Sequence, residues 1–169
     1  MMDLGELVFV TTNEGKRREA EAVLGVTLSH RGVDLLEPQT LDVHEVVDCK
    51  AGAAFEAVGR PVLVEDTSLE LLGLGGFPGP LIKWFLASVG AEGICIAAHA
   101  FGDTRAVARC LTCATDGSES VKGEGVVLGG IAPRPRGANG FGWDSAFIPD
   151  GRGGRTYAEM DDDEKNAIS

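Results

Sequence analysis

Two adjacent carboxylates, Glu65 and Asp66, follow a short apolar run in this sequence of 169 residues. The run, Val62 to Val64, is typical of a buried strand, and a turn rich in glycine and proline follows at 75–80. Carboxylates at the end of a strand, beside a rigid turn, are suited to binding a metal ion or holding a reacting water in an α/β protein. The same residues also suit a surface turn with two solvated acids, and this stretch alone favours neither interpretation.

A second candidate stretch lies between a strand-type run at 7–10 and a segment with helical spacing at 17–24, and it reads Thr11-Thr12-Asn13-Glu14-Gly15-Lys16. In a strand–turn–helix unit, backbone N–H groups and the positive end of the helix dipole point at whatever lies above the strand. Hydroxyl and amide side chains can add hydrogen bonds, and Lys16 can add a full charge. The stretch therefore predicts a phosphate-binding loop, with an ordinary capped helix as the open alternative.

An aromatic string, Phe141-Gly142-Trp143-Asp144, closes a loop rich in glycine and arginine at 134–142. Two aromatic rings can stack on a heterocyclic base, and a carboxylate can accept a hydrogen bond from the base's N–H or amine. The rings can also fill the core of the protein. Taken alone, these four residues favour the core.

The rest of the chain alternates between strand and helix patterns, which predicts a single α/β domain covering 1–169. Helical spacing occurs in the second half of 41–58, at 81–89 and at 92–98. Strand patterns occur at 26–36, 105–115, 120–128 and 146–148, the middle two joined by a hairpin signal at 116–118. An acid-led helix holding Lys165 is expected from Asp162 onward.

Composition argues against several classes of partner. The net charge of −11 disfavours binding to nucleic acid backbones, although Mg²⁺ and a few lysines can still attract a small phosphate ligand locally. No apolar run reaches the roughly 20 residues of a membrane helix. The start of the sequence is acidic where a secretory signal is basic, and the four cysteines suit free thiols in a reducing compartment. We therefore expect a cytoplasmic protein with no nucleic acid partner and no membrane segment.

Four motifs occur in order along nearly the whole chain. They are Thr11-x-Asn13-x-x-Lys16, then Glu65-Asp66-Thr67 with Gly75-Gly76-x-Pro78-Gly79, then Phe141-Gly142-Trp143-Asp144, and last Tyr157-Ala-Glu159-Met with Glu164-Lys165-Asn166-Ala167-Ile168-Ser169. In order and spacing they resemble the motifs of the inosine triphosphate pyrophosphatase family, the Ham1-like enzymes that remove non-standard purine nucleotides.

The resemblance implies Mg²⁺-dependent hydrolysis of ITP, dITP and XTP to the monophosphate and pyrophosphate. It makes Asp66 the catalytic base for the attacking water, and Glu37 and Asp66 the metal ligands. Glu65 is expected on the opposite face of the strand in a supporting role. The implied substrate contacts are Thr11, Thr12, Asn13, Glu14, Gly15, Lys16, Lys50, Thr67, Phe141, Gly142, Trp143, Asp144 and Lys165.

The resemblance also implies an elongated mixed β-sheet with flanking helices, two lobes around a central substrate cleft, and a homodimer. Two alternatives remain open: a catalytically weak nucleotide-binding module, and a pyrophosphatase with another nucleotide specificity.

The family continues beyond the Ile-Ser pair with a His-Arg pair that contacts the base, whereas this sequence ends at Ser169. Weaker rejection of 6-amino purines is therefore expected. A Ser29-His30-Arg31 string upstream is interpreted as coincidence.

Overall fold

The structure, a computed structural model, describes residues 4–169, so residues 1–3 of the predicted domain lie outside the described part. Its strands are β1 (Val8–Val10), β2 (Ser29–Arg31), β3 (Val62–Leu71), β4 (Pro78–Gly79), β5 (Arg105–Thr115), β6 (Ser120–Ile131) and β7 (Phe147–Pro149). Its α-helices are α1 (Glu14–Leu24), α2 (Val43–Val58), α3 (Ile82–Ala100) and α4 (Asp162–Asn166). Short 3₁₀ helices cover Leu4–Glu6, Leu72–Leu74 and Tyr157–Glu159.

Seven strands among residues 4–169 form one sheet in the order β2-β1-β3-β5-β6-β7, and β4 pairs with β3. Strand β1 is parallel to both β2 and β3, whereas β4 is antiparallel to β3 and β7 is antiparallel to β6. The sheet is therefore mixed, and the predicted α/β class with a mixed sheet and helices is confirmed. None of the helices in this described range combines the length and apolar character needed to span a bilayer.

One compact unit comprises the described residues up to 66, together with residues 110–124. Helix α2 begins at Val43, where the Asp42 carboxylate caps it by accepting from the His44 N–H at 2.9 Å. The expectation of a helix in only the second half of 41–58 is wrong, because the first turns of α2 are also packed in the core. The buried residues of this core are Val8, Val10, Val43, Val47, Ala51, Ala54, Val62, Val64, Leu111 and Cys113.

Strand β3 does not end at the acidic pair but continues to the buried Leu71. The expectation that Glu65 and Asp66 terminate this strand is therefore wrong. The register of β1 against β3 ends at the Phe9–Leu63 pair. Both carboxylates consequently lie beyond the carboxyl end of β1, which is the neighbouring parallel strand.

A second compact unit comprises residues 67–109 and 125–169. Helix α3 joins the two predicted helical segments, and it is interrupted at Gly90, whose φ of 68° and ψ of 178° are not helical. Glycine adopts this positive φ without steric cost. The buried residues of this core are Leu69, Leu71, Ile82, Ile94, Cys95, Ala98, Ala106, Ala108, Ile131, Ala146, Phe147, Tyr157 and Met160.

Two isoleucines of α3 provide a matched test of this core. Ile94 is fully buried, whereas Ile96 is 61% exposed on the same helix. We predict that Ile94→Ala lowers the free energy of unfolding by about 2–5 kcal/mol, because it removes a buried side chain and leaves a cavity. Ile96→Ala should change it by less than about 0.5 kcal/mol, as expected for a surface position. Urea denaturation of both variants measures the difference, and equal losses would contradict the assignment of this core.

Candidate active site

The predicted phosphate loop is held in shape by its own side chains. The Asn13 Oδ1 atom accepts hydrogen bonds from the backbone N–H groups of Gly15 at 2.9 Å and Lys16 at 3.2 Å. The Thr11 hydroxyl accepts from the Asn13 N–H at 3.1 Å. Asn13 is therefore the N-cap of α1, and it satisfies two N–H donors that a phosphate was expected to use.

Glu14, the first residue of α1, directs its carboxylate to a neighbour on the helix. Its Oε2 atom lies 2.9 Å from Nη2 of Arg17, and this hydrogen bond lowers the pKa of Glu14 below its usual value. The side chain therefore remains charged and paired, which leaves the backbone of Glu14 as the part suited to a phosphate. Thr12 is exposed at the tip of the loop.

The upstream Ser29-His30-Arg31 string lies beside this loop, and its interpretation as a coincidental match to the family's His-Arg pair stays a prediction. It forms β2, and the His30 Nε2 atom donates to the Thr11 carbonyl at 2.7 Å. The Thr11 N–H in turn donates to the Arg31 carbonyl at 3.2 Å. Strand β2 thus anchors the start of the loop, which the sequence alone did not indicate.

Lys16 reaches the acidic pair of β3. Its ammonium lies 3.0 Å from Oε1 of Glu65, and the two side chains are 20% and 10% exposed. Burial opposes the charge on Lys16, but the nearby carboxylates of Glu65 and Asp66 outweigh that effect and raise its pKa. Lys16 is therefore firmly protonated, as a phosphate-binding group must be.

Lys50 holds the centre of the candidate site. Its ammonium donates to Oε1 of Glu37 and to Oδ1 of Asp66, both at 2.9 Å, and to the Glu65 carbonyl at 3.1 Å. Lys50 follows Val47 by three residues on the buried face of α2, which explains why its side chain is only 11% exposed. One ammonium thereby brings together two carboxylates that are 29 positions apart in the sequence.

The two helices supply their lysines from opposite faces of β3. Successive side chains of a strand point to opposite faces, so Glu65 and Asp66 must diverge. The contacts agree, because Glu65 meets Lys16 of α1 and Asp66 meets Lys50 of α2. The expected division, with Asp66 on one face and Glu65 supporting from the other, is thus consistent with the geometry. The next residue, Thr67, follows Glu65 by two positions and so shares its face.

Burial raises the pKa of the Asp66 carboxyl above its usual value, and the nearby Glu37 carboxylate adds to the rise. The charges of Lys16 and Lys50, with the hydrogen bond from Lys50, partly offset it. A raised pKa makes a carboxylate a better proton acceptor. Asp66 therefore has the environment expected of a general base.

Glu37 and Asp66 form the part of this cluster that resembles a cation site. Their oxygen atoms already contact the same positively charged group, and carboxylate oxygens are the ligands that Mg²⁺ prefers. Among residues 4–169, no group of three or more side chains is arranged to hold a metal ion. Two carboxylates are still a suitable donor set, because Mg²⁺ commonly takes its remaining ligands from substrate phosphates and water.

The second unit contains a separate buried ion pair. Oδ2 of Asp144 accepts from the Lys165 ammonium at 2.6 Å and from the Phe141 N–H at 2.8 Å. Asp144 and Lys165 are only 4% and 6% exposed. The Lys165 ammonium also lies 4.7 Å from the centre of the Phe141 ring, a cation–π distance. These contacts fix the whole turn from Phe141 to Asp144, with Gly142 at a φ of 63°.

The two aromatic residues of this turn have different environments. Trp143 packs against the core, with its ring centre 5.6 Å from that of Phe147 and 6.2 Å from that of Tyr157. The core interpretation is therefore correct for Trp143. Phe141 is half-buried and in contact with Lys165, and it is the ring better suited to stack on a base.

Comparison with known proteins decides the family. Residues 7–169 match the profile of the Ham1 family. The chain belongs to the Ham1 family. It is 44% identical over 167 residues to "Inosine triphosphate pyrophosphatase 2" of Trypanosoma cruzi, covering 97% of this chain and 85% of that protein. It is 43% identical over 173 residues to the inosine triphosphate pyrophosphatase of Schizosaccharomyces pombe, covering 100% and 90%.

Solved structures of Ham1 proteins share the fold. A HAM1 protein from Coxiella burnetii superimposes with a TM-score of 0.81 at 27% identity, covering 98% of this chain and 91% of that one. A nucleoside-triphosphatase described as a dITP/XTP pyrophosphatase, from Mycobacterium abscessus, gives 0.73 at 26% identity, covering 95% and 92%. The predicted resemblance to this family is therefore confirmed.

The buried pair of the second unit gives a direct test of its role in this Ham1 chain. We predict that Lys165→Met costs about 3–5 kcal/mol of unfolding free energy, because it leaves the Asp144 carboxylate buried without its counter-ion. The double variant Asp144→Asn/Lys165→Met should recover at least about 1 kcal/mol of that loss, since no buried charge is then left unpaired. Urea denaturation provides the values. Lys83→Met is the control, because Lys83 is exposed and should change stability little. Strictly additive costs would contradict the pairing.

Proposed function

We propose that this protein hydrolyses the non-standard purine nucleoside triphosphates ITP, dITP and XTP to the monophosphate and pyrophosphate, and so removes them from the nucleotide pool. It is then a nucleoside triphosphate diphosphatase. Its relatives in T. cruzi and S. pombe carry the name inosine triphosphate pyrophosphatase, which supports this activity. The observation that carries the proposal is the Asp66 carboxylate, held with Glu37 by Lys50 and raised in pKa.

Asp66 is the general base in this proposal. A water molecule that attacks the α-phosphate must lose a proton, and a partly desolvated carboxylate with a raised pKa can accept it. Glu65 keeps Lys16 in place from the other face of β3 and does not compete for this task. Thr67 adjoins the base in the strand and contacts substrate in the same proposal.

The phosphate chain is bound by positive charge and by the loop before α1. Lys16 and Lys50 supply two ammonium groups that neutralise developing charge on the phosphate oxygens. Thr12 and the backbone of Glu14 supply hydrogen bonds. The cap formed by Asn13 fixes the loop beforehand, so little ordering is needed when substrate binds.

We also propose Mg²⁺ as the cofactor, held by Glu37 and Asp66. When bound, Mg²⁺ would neutralise phosphate charge and orient the substrate. Removing divalent cations with a chelator should abolish turnover without unfolding the protein.

The purine would stack on Phe141, with Gly142, Trp143, Asp144 and Lys165 shaping the turn that carries this ring.

The proposal further includes a homodimer in the cytoplasm, without nucleic acid partners. Helix α3 and its flank expose large apolar side chains, of which Trp84 is 62% and Phe101 64% exposed. Such side chains in one segment commonly mark an interface between proteins. Sedimentation velocity tests the dimer, and a monomer at all concentrations would exclude it. The net charge of −11 disfavours nucleic acid.

Asp66→Asn and Glu65→Gln form a matched pair of variants, because each removes one negative charge and the two positions are adjacent. We predict that Asp66→Asn lowers kcat for ITP by about 10²–10⁴-fold, since it removes the proton acceptor. The amide oxygen introduced by this change can still accept from Lys50, so binding of ITP should change only a few-fold. Glu65→Gln should lower kcat by less than about tenfold, because its effect passes only through Lys16.

Pyrophosphate release measures turnover, and calorimetry measures ITP binding. Equal losses in the two variants would contradict the assignment of the base to Asp66. Binding of ITP by the unmodified protein without any pyrophosphate release would instead favour a nucleotide-binding module. Rapid release from a triphosphate outside the ITP, dITP and XTP set would favour the other-specificity alternative.

A further inference from the structure

The two carboxylates proposed to bind Mg²⁺ already share a cation that belongs to the protein. The Lys50 ammonium lies 2.9 Å from an oxygen of Glu37 and 2.9 Å from an oxygen of Asp66. Its third contact is the Glu65 carbonyl at 3.1 Å. Three acceptors match the three N–H donors of an ammonium, so the group is fully engaged in this position.

A metal ion at the same oxygens would meet strong electrostatic opposition. Like charges repel strongly at close range near a protein surface, and a divalent ion doubles the repulsion exerted by a single charge. The two cations therefore cannot both stay close to Glu37 and Asp66 at low cost. The charge of Lys16 also acts on Asp66, although its ammonium is bound to Glu65, so Lys16 adds to this repulsion.

From these contacts we infer that Lys50 and the metal ion compete for the Glu37–Asp66 pair, and that a nucleotide resolves the competition by accepting the Lys50 ammonium on its phosphates. This inference rests on the proposed function, since it takes the nucleotide and the metal from it. It also specifies the order in which the metal ion and the nucleotide bind. The metal alone binds weakly, and it enters the site together with the triphosphate.

The exchange suits the chemistry of each group. The lysine side chain has a flexible four-carbon stem, so its ammonium can move from carboxylate to phosphate without movement of α2. Asp66 is only 7% exposed, and a buried charge left without a partner is costly. If the metal ion replaces the Lys50 ammonium as the ammonium moves to the phosphates, the charge of the Asp66 carboxylate stays compensated.

The test is metal binding without nucleotide, measured with Mn²⁺ as the probe by the electron paramagnetic resonance signal of the free ion. We predict that Lys50→Met increases the affinity for Mn²⁺ by about tenfold or more, because each 1.4 kcal/mol of removed repulsion is a factor of about ten. Lys50→Gln should behave in the same way. It can still donate to Asp66, so it preserves the fold if Lys50→Met does not.

Two control variants separate competition from a general charge effect. Lys50→Arg keeps the positive charge and should leave Mn²⁺ affinity within about threefold of the unmodified protein. Lys122→Met removes the same charge from the same unit, where Lys122 is paired with Asp48, and it should also have little effect.

Unchanged or weaker Mn²⁺ binding in both neutral Lys50 variants would overturn the inference. An equal gain in Lys122→Met would overturn it as well, because the effect would then be one of net charge. The readout does not depend on turnover. A failure of pyrophosphate release with the Mn²⁺ result intact would therefore reject the proposed function while retaining the competition between Lys50 and the metal.

Discussion

A carboxylate can be kept inside a protein only when something compensates its charge, and Lys50 meets that requirement for Asp66. This pair constrains how the elements of the first unit are placed. Helix α2 must lay its apolar face on the sheet so that Lys50 arrives beside β3, and the segment after β2 must bring Glu37 to the same ammonium. Strand β3 must continue through Asp66, so that Glu65 faces α1 and meets Lys16 instead.

The second unit applies the same constraint at the turn proposed to carry the purine. Asp144 is buried, and Lys165 from α4 neutralises it while the Phe141 N–H occupies the same oxygen. The capping box at the start of α4 positions this lysine, because Asp161 and Glu164 satisfy each other's backbone N–H groups. In both units a lysine holds a carboxylate in position, and this ion pair in turn positions the residues proposed to contact substrate. Preorganisation of this kind lowers the cost of ordering a site when substrate binds.

Much of this arrangement could be predicted from local patterns, and the exceptions have physical causes. Strand β5 has its predicted bounds, because its hairpin turn at 116–118 marks the end clearly. The divergence of Glu65 and Asp66 followed from strand alternation alone. The length of β3 could not be predicted in this way. The polar residues at 65–68 look like the end of a strand as long as the groups that they contact in the folded protein are unknown. The roles of Glu37 and Lys50 came only through the family resemblance. Their contact with each other was not predicted, because it depends on tertiary packing.

The measurement that tests the central claim most directly is pyrophosphate release from ITP, XTP, ATP and GTP, each with and without Mg²⁺. If the Lys50-held carboxylates form the catalytic centre of a non-standard purine triphosphate pyrophosphatase, ITP and XTP should be hydrolysed only with Mg²⁺. Their kcat/KM should exceed those of ATP and GTP by at least about tenfold, as expected when polar groups of the site read the base. Release that is equal with and without Mg²⁺, or absent for all four nucleotides, would contradict the account.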